Sequence, residues 1–141
     1  MVWARQWGME TSLLTIDTAG QPFTDMTGDL DRFCADLGDG LVNVFAPHAT
    51  AGLALIELGS GSEHDLEEAL HRLLPRDDRY RHRHGSEGHG ADHVFPAFVC
   101  PSVCLPVVNG RVQLGTWQSV VLVDTNRDNS RRHVRLSFVA G

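Results

Sequence analysis

The carboxy-terminal segment of the chain alternates between apolar and polar side chains with a period of two. This segment, RRHVRLSFVA, occupies positions 131–140, and its apolar side chains share one face: Val134, Leu136, Phe138 and Ala140. The opposite face carries arginine, histidine and serine side chains. Successive side chains of a strand point to opposite faces of a sheet, so the pattern predicts a strand with one face in a core and one in solvent.

Strands of this kind dominate the rest of the chain. Asn109–Gly110 joins two apolar segments and is the strongest short hairpin signal in the sequence. Because strands predominate and neighbours are joined by hairpins, we expect a largely antiparallel sheet in an α+β protein. The predicted strands cover 9–18, 21–27, 41–47, 51–57, 93–99, 102–108, 111–125 and 131–140.

Two segments have helical periodicity instead. The first begins at Thr27, the predicted cap, and the second begins at a capping-box pattern, Ser62 with Asp65, and ends at Pro75. The segment 76–92 has no apolar period and is predicted to be a loop. A loop of this length in a small protein is usually functional or disordered. No repeat or boundary divides the chain, so we expect one domain over residues 1–141.

The composition excludes several classes of function. The chain has 141 residues and a net charge of −6 with neutral histidine, which disfavours binding of nucleic acid through its phosphates. All twelve basic residues are arginine, so neither Schiff-base chemistry nor a Walker-type lysine is available. The most apolar segment, 94–108, is too short to cross a bilayer and contains three prolines. Without a secretory signal, and with an odd number of cysteines, the chain is expected to be cytoplasmic and reduced.

Candidate site residues come from separate parts of the sequence. His48 ends a predicted strand before a small, polar segment, and Glu57 ends the next strand. The predicted loop and its border contribute His84, Glu87 and His93. A histidine beside a carboxylate can act as a general base or as a metal ligand, because imidazole titrates near neutrality. This spacing alone leaves both roles open.

The other histidines have a simpler interpretation. In an extended loop His82 would share a face with His84, which is an arrangement typical of two metal ligands. For His82 and His89, however, we expect solvated loop positions. His71 and His133 are expected at the surface. The segment GTWQ, 115–118, interrupts an apolar run with hydrogen-bonding side chains and is a further candidate for the site.

Several motifs together resemble the YjbQ family, also called UPF0047. They are PHATAGLALIE, HGSEGHGADH, CPSVCLPVVNGRVQLGTWQSVVLVD and the arginine-rich last strand. The resemblance runs from about residue 10 to the end. It implies an α+β sandwich of mostly antiparallel strands, assembled as a homotrimer with a polar cleft near the subunit boundary. The residues that it carries into the site are His48, Thr50, Glu57, Glu87, His93, Ser102, Thr116, Trp117 and Gln118.

The resemblance also implies an activity, because some members are described as secondary thiamine-phosphate synthases. These transferases weakly join a pyrimidine diphosphate to a thiazole phosphate. The sequence departs from the family pattern at three positions: Ile56 replaces an asparagine, Phe95 a basic residue and Cys100 a glycine. Loss of the basic residue at Phe95 removes a natural contact for a phosphate.

Two classes of function follow from these residues. The first is an enzyme acting on a phosphorylated small molecule, with His48 and His93 as acid–base or metal groups. Charge on a leaving pyrophosphate would then be stabilised by arginines of the loop, with Arg76, Arg79, Arg81 and Arg83 as the candidates. The second is a non-catalytic trimer that binds a metal or a metabolite, in which His48, His84 and His93 hold a divalent ion.

Overall fold

The computed structural model describes residues 8–141, which form eight strands, three α-helices and one 3-10 turn. None of the helices in this range is long and apolar enough to cross a membrane. The strands are β1 (Met9–Asp17), β2 (Phe23–Asp25), β3 (Gly40–Phe45), β4 (Gly52–Ile56), β5 (Ser102–Val108), β6 (Arg111–Val112), β7 (Ser119–Val123) and β8 (Arg131–Ala140). The helices are α1 (Thr27–Cys34), α2 (Ser62–Leu73) and α3 (His89–Val94), and the 3-10 turn is Phe95–Ala97.

The strands form two sheets in which every pair is antiparallel. The larger sheet has the order β1-β8-β3-β5-β6 and the smaller one the order β2-β7-β4. Val44 and Leu136 of the larger sheet share one buried apolar cluster with Leu53 and Leu122 of the smaller sheet and Leu30 of α1. Two sheets therefore enclose one core, which confirms the predicted α+β class and its antiparallel pairing.

The alternating terminal segment forms β8, between β1 and β3 in the larger sheet. Val134, Leu136 and Phe138 are buried, as predicted, whereas Ala140 at the end of the strand is exposed. The buried face also contains Arg132, which the alternation predicts to be apolar. This arginine has a buried partner, described below with the site.

The Asn109–Gly110 hairpin forms as predicted. Val108 pairs with Arg111 across a two-residue turn, and both turn residues have positive φ, +50° and +72°. This is the type I′ geometry, which matches the twist of the flanking strands. A side chain at Gly110 would also place its Cβ 2.3 Å from the carbonyl oxygen of Ala35, so the turn fits closely against the end of α1.

The predicted helix caps do not form. Met26 occupies the cap position of α1, and the Thr27 hydroxyl instead accepts a hydrogen bond from the Val120 backbone amide at 3.0 Å. Ser62 is the first residue of α2 and makes no cap hydrogen bond through its side chain. Both hydroxyls are displaced by one position from the site where they could accept from the first turn.

The predicted strand over 93–99 is wrong, because residues 93–97 belong to α3 and the 3-10 turn, and a bend follows. Ala91, Phe95 and Val99 recur every fourth residue and are buried against Leu70 and Leu74 of α2. Four-residue spacing puts these side chains on one side of a helix, where they form a second core beside the smaller sheet. The predicted loop therefore ends at Gly88, and α3 begins at His89.

Candidate metal centre

Four imidazole rings meet where the long loop crosses α3: His82, His84, His89 and His93. The centroid of the His82 ring lies 4.1 Å from that of His93 and 5.2 Å from that of His89. The Nε2 atoms of His89 and His93 are 3.0 Å apart. His84 adjoins the group, with its ring centroid 4.8 Å from that of His89. We call these four residues the histidine cluster.

The helix and a glycine position the histidine cluster. His89 and His93 are separated by one turn of α3 and therefore lie on one side of it. The loop that carries His82 approaches the helix at Gly90, where an added Cβ would lie 2.6 Å from the Cβ of Tyr80 and 2.8 Å from the His82 carbonyl oxygen. Because Gly90 has no side chain, the loop can approach α3 closely enough to place His82 next to His89 and His93.

The spacing of the nitrogens fits a transition-metal ion. His82, His89 and His93 each offer one ring nitrogen, and these three atoms all lie within 4.8 Å of one another. Two ligands at about 2.0–2.1 Å in tetrahedral geometry would be roughly 3.3 Å apart, close to the separation of the His89 and His93 nitrogens. Three imidazoles are a donor set suited to zinc, nickel, copper or iron, and they leave one tetrahedral position open.

The surroundings favour neutral imidazole in this cluster. Burial, followed by the neighbouring imidazoles, lowers the pKa of His93 below its usual value. Reduced hydration beside the other rings, followed by the neighbouring His84 and His89, also lowers the pKa of His82, although this side chain is exposed. Because only the neutral ring can bind a metal, both shifts favour metal binding near neutral pH.

The carboxylate of Asp128 contacts His89, one of the two cluster histidines on α3. The Nδ1 atom of His89 lies 2.8 Å from Oδ2 of Asp128, and the Ser86 backbone amide donates to the same oxygen at 3.4 Å. Hydrogen bonding from Ser86, with a smaller contribution from His89, lowers the pKa of Asp128. Asp128 is therefore ionised at neutral pH and can only accept hydrogen bonds.

A buried carboxylate fixes α3 against the rest of the protein. Asp92 has no exposed surface, and both its oxygens bind Arg76. Its oxygens also accept from the Thr125 hydroxyl at 2.8 Å and from the Asn126 side-chain amide at 3.0 Å. A buried carboxylate needs this number of donors to offset its lost hydration. The result is a rigid connection between α3 and the turn after β7.

A polar cleft opens beside the histidine cluster. Its volume is about 350 Å³, and charged or hydrogen-bonding groups make up most of its lining. Arg83, Ser86 and Glu87 contribute to it together with three histidines of the cluster. A small polar molecule in this cleft would lie next to the imidazoles.

The structure brings together only part of the predicted site. His84, Glu87 and His93 lie at the cluster and its cleft. His48 is held by the last strand instead: its Nε2 atom accepts a hydrogen bond from the backbone amide of His133 at 2.9 Å, and the two rings stack. The close trio is His82, His89 and His93 rather than the predicted His48, His84 and His93.

The remaining predicted residues make local contacts. Glu57 accepts from the Ser60 hydroxyl at 2.7 Å, Ser102 accepts from the side chain of Asn43 at 2.8 Å, and Thr50 is bound to Arg132. Residues 115–118 form a turn between β6 and β7 rather than part of a strand. Thr116 in this turn is exposed, the Gln118 side chain accepts from the Gly115 amide at 2.8 Å, and Trp117 is 72% exposed. Within residues 8–141, none of these side chains hydrogen-bonds to the histidine cluster.

The prediction that His89 is a solvated loop residue is wrong, because His89 is partly buried on a helix. His82 is an exposed loop residue, as predicted, and its ring also packs on the other imidazoles. The spacing of four between His89 and His93 is the helical spacing of a ligand pair. That pattern is present in the sequence, but it has this meaning only once the segment is known to be helical.

A buried ion pair is a further polar feature that the sequence does not reveal. Arg132 donates to Asp124 from Nε at 2.5 Å and from Nη2 at 3.0 Å, and the Thr50 hydroxyl accepts from Nη2 at 3.1 Å. The side chains of Arg132 and Asp124 are 4% and 1% exposed, respectively. The alternation of β8 places Arg132 on the buried face, but no local pattern identifies Asp124 as its partner.

Comparisons with known proteins agree on one family. The model of the UPF0047 protein YjbQ-like family matches residues 12–141. A UPF0047 protein from Mycobacterium tuberculosis is 62% identical over 133 residues, which cover 94% of this chain and all of the relative. A UPF0047 protein from Archaeoglobus fulgidus is 32% identical over 120 residues, covering 84% of this chain and 94% of the relative.

Solved structures show the same fold. A hypothetical protein from Aeropyrum pernix superposes with a TM-score of 0.83 at 27% identity, over 94% of this chain and 99% of the other. A protein of unknown function from Sulfolobus solfataricus superposes with a TM-score of 0.88, over 96% of this chain and all of the other. At 19% identity, the second likeness shows the fold alone.

Proposed function

The chain belongs to the UPF0047 (YjbQ-like) family, and on that premise we propose that it is a divalent-metal protein with His82, His89 and His93 as ligands. The observation that carries the proposal is the convergence of three ring nitrogens within 4.8 Å of one another. Neutral imidazoles that meet in this way leave acceptor nitrogens facing one another, and these lone pairs are not all satisfied by hydrogen bonds within residues 8–141. A bound cation gives this arrangement a physical reason.

The donor set indicates both the kind of metal and its chemistry. Nitrogen donors favour zinc, nickel or cobalt over magnesium and calcium, which prefer oxygen. Three protein ligands with an open fourth position are typical of catalytic rather than structural zinc sites. Such an ion lowers the pKa of a bound water to about 7 and so supplies a hydroxide nucleophile at neutral pH. We propose metal-assisted hydrolysis of a small polar substrate held in the adjoining cleft.

A transferase of the thiamine-phosphate synthase type is the second candidate function, and the family resemblance is what favours it. It would need cationic groups for a leaving pyrophosphate. Of the loop arginines, Arg76 is bound to Asp92 and Arg79 to Asp77, whereas Arg83 lines the cleft. Phe95, at the position of the family's basic residue, is 2% exposed in the second core. The arrangement therefore supports hydrolysis or binding of a small molecule more strongly than pyrophosphate transfer.

We also propose that the chain assembles as a homotrimer through the outer face of the larger sheet. That face exposes large apolar side chains, which are Leu13, Leu41, Phe45, Val108 and Val139. Leu41 and Val139 are paired directly across β3 and β8, so these two side chains are neighbours, whereas Arg135 lies between Leu13 and Phe45 on the same face. Exposed apolar patches of this kind mark interaction surfaces.

Light scattering tests the assembly. The expected mass is three times that of the 15.5 kDa chain, and Leu41→Glu should reduce it because a charge would be buried in the interface. A monomer mass for the unmodified protein at micromolar concentration would remove the trimer.

Metal content tests the proposed function. Metal-stripped protein is incubated with zinc, nickel or manganese, dialysed and analysed by mass spectrometry of the elements. We expect one zinc or nickel ion per chain, and loss of the ion in His82→Ala, His89→Ala and His93→Ala. His71→Ala is the matched control, since His71 is exposed on α2 outside the cluster. Absence of stoichiometric metal from the unmodified protein would refute the proposal.

The variant His48→Ala decides between the two histidine trios. If His48 is not a ligand, His48→Ala retains the ion and His89→Ala loses it. The reverse result would favour the trio predicted from the sequence, His48, His84 and His93. Circular dichroism of each variant confirms that a lost ion is not caused by unfolding.

A further inference from the structure

The two ring nitrogens of His89 have partners of different kinds. Nδ1 lies 2.8 Å from Oδ2 of Asp128, and Nε2 lies 3.0 Å from Nε2 of His93 within the histidine cluster. A neutral imidazole carries one N–H and one acceptor nitrogen, and an ionised carboxylate only accepts. The Asn126 side-chain nitrogen also lies 3.4 Å from Nδ1, but the Asp128 carboxylate is the much closer partner. The geometry therefore places the proton of a neutral His89 on Nδ1, which leaves the Nε2 lone pair directed into the cluster.

From this geometry we propose that Asp128 is a positioning residue of the histidine cluster, which holds His89 in the Nδ1–H tautomer so that Nε2 is the metal ligand. The inference rests on the proposed metal-binding function. It goes further by assigning a role to a residue that contributes no ligand atom. Carboxylate partners of metal-bound histidines fix the orientation of the ring and increase its basicity.

The turn that carries Asp128 is held in place by successive side-chain hydrogen bonds. The Asp124 side chain accepts from the Asn126 backbone amide at 3.1 Å, and the Asn126 side chain accepts from the Asp128 backbone amide at 3.0 Å. Asp124 is itself paired with the buried Arg132. The position of the Asp128 carboxylate is therefore set by the buried interior rather than by an unconstrained loop.

Asn126 links this turn to α3 from the other side. Its side-chain amide donates to Asp92 at 3.0 Å, and Asp92 is anchored by Arg76. Helix α3, which carries His89, and the turn, which carries Asp128, are thus fixed to each other independently of the His89–Asp128 contact. Two elements that are already fixed to each other in this way are suited to orienting a ligand, because little order is lost when the metal binds.

An ordinary surface ion pair is the alternative explanation for this contact. It would require a protonated His89, in which both nitrogens are donors and neither can bind a metal. The exposures differ from those of a surface pair, since the His89 side chain is only 12% exposed and that of Asp128 is 37% exposed. The two explanations predict different proton positions on the ring, which can be measured.

The affinity experiment compares Asp128→Asn with Asp78→Asn. Asp78 is an exposed carboxylate that lines the same cleft, and it makes no side-chain hydrogen bond within residues 8–141. Both substitutions remove one negative charge from the surroundings of the cleft, but only Asp128→Asn replaces the charged acceptor beside His89 Nδ1 with a neutral amide, which binds an N–H more weakly. Zinc affinity is measured by competition with a chelator. We expect binding to weaken roughly 10–100-fold in Asp128→Asn and to change less than about twofold in Asp78→Asn, because exposed charges are screened.

A second variant and a metal-free measurement complete the test. Asp128→Glu keeps the carboxylate on a longer side chain and should restore part of the lost affinity. In the metal-free protein, nitrogen-15 NMR of the histidine rings should show His89 as the Nδ1–H tautomer. Equal effects of Asp128→Asn and Asp78→Asn, or an Nε2–H tautomer, would overturn the positioning role. Failure of the unmodified protein to bind zinc would instead refute the metal-binding function itself.

Discussion

Removing the charge of Asp124 should destabilise the protein strongly. Arg132 and Asp124 are 4% and 1% exposed, and the guanidinium donates two hydrogen bonds to this carboxylate. In Asp124→Asn the arginine remains buried and charged, with a neutral amide in place of its counter-ion. Leaving one member of a buried pair uncompensated costs about 3–5 kcal/mol. Small proteins are stable by only about 5–15 kcal/mol, so the loss would be a large fraction of the total.

The double variant Asp124→Asn with Arg132→Met isolates the pair from other effects. The introduced methionine fills much of the volume of the arginine side chain without its charge, so the introduced asparagine then faces no buried cation. We expect the double variant to be more stable than the sum of the two single changes implies, with a coupling of about 2–3 kcal/mol. The Thr50 hydroxyl loses its hydrogen bond from Arg132 both in Arg132→Met and in the double variant, so this effect cancels when the four proteins are compared.

Urea denaturation at one fixed protein concentration is the appropriate assay, because association adds to apparent stability. The urea concentration at which half of the protein is unfolded should fall in Asp124→Asn. The slope of the unfolding free energy against urea concentration should stay constant, which indicates a change in stability and not in the compactness of either state. A loss below about 1 kcal/mol for Asp124→Asn, or strict additivity in the double variant, would show that the buried charges are not coupled as the geometry requires.

Two further predictions concern residues away from the histidine cluster. Trp117→Ala should lower the free energy of unfolding by less than about 1 kcal/mol, because Trp117 is 72% exposed. Truncation of a buried tryptophan costs roughly 3–5 kcal/mol, and a loss of that size in thermal melts would contradict the exposed position of Trp117. Burial, and to a smaller extent the charge of Arg132, lowers the pKa of His48 in the folded protein. As the pH falls, His48 therefore takes up a proton in the unfolded chain before it does so in the folded one. The stability that depends on neutral His48 is therefore complete above about pH 6.5 and is lost as the pH falls towards the folded pKa. His48→Asn should have a smaller drop in melting temperature between about pH 7 and pH 5 than the unmodified protein, and equal drops would contradict this role.

Local patterns predict much of the sheet. The alternation at β8 and the Asn109–Gly110 turn depend on neighbouring residues only, and both are present as expected. The prediction for 93–99 is wrong because aromatic and β-branched residues there favour strands. Packing of Phe95 beneath α2 overrides that preference. Intrinsic propensity is a weak guide wherever burial against a distant element determines the conformation.

The same limit explains which part of the site the sequence does not predict. His84 and His93 can be identified because they begin and end the quoted family motif HGSEGHGADH. The close trio depends on how the loop returns over α3, which in turn depends on the missing side chain at Gly90. Asp128 is 39 positions from His89 in sequence, so only the folded structure shows their contact. Long-range polar contacts of this kind have no local pattern from which to predict them.

The pairing of β1 with β8 has a consequence for biosynthesis. The Thr11 hydroxyl donates to the carbonyl of Leu136, 125 positions later, and β8 separates β1 from β3. A ribosome releases the amino-terminal strand first, but that strand has no partner in the larger sheet until the ten residues of β8 emerge. The nascent chain must therefore keep an unpaired edge on β1 through nearly all of its synthesis, which makes it prone to aggregation. Translation that stops shortly before position 131 should yield an insoluble product, even though the truncated chain retains all four histidines of the cluster.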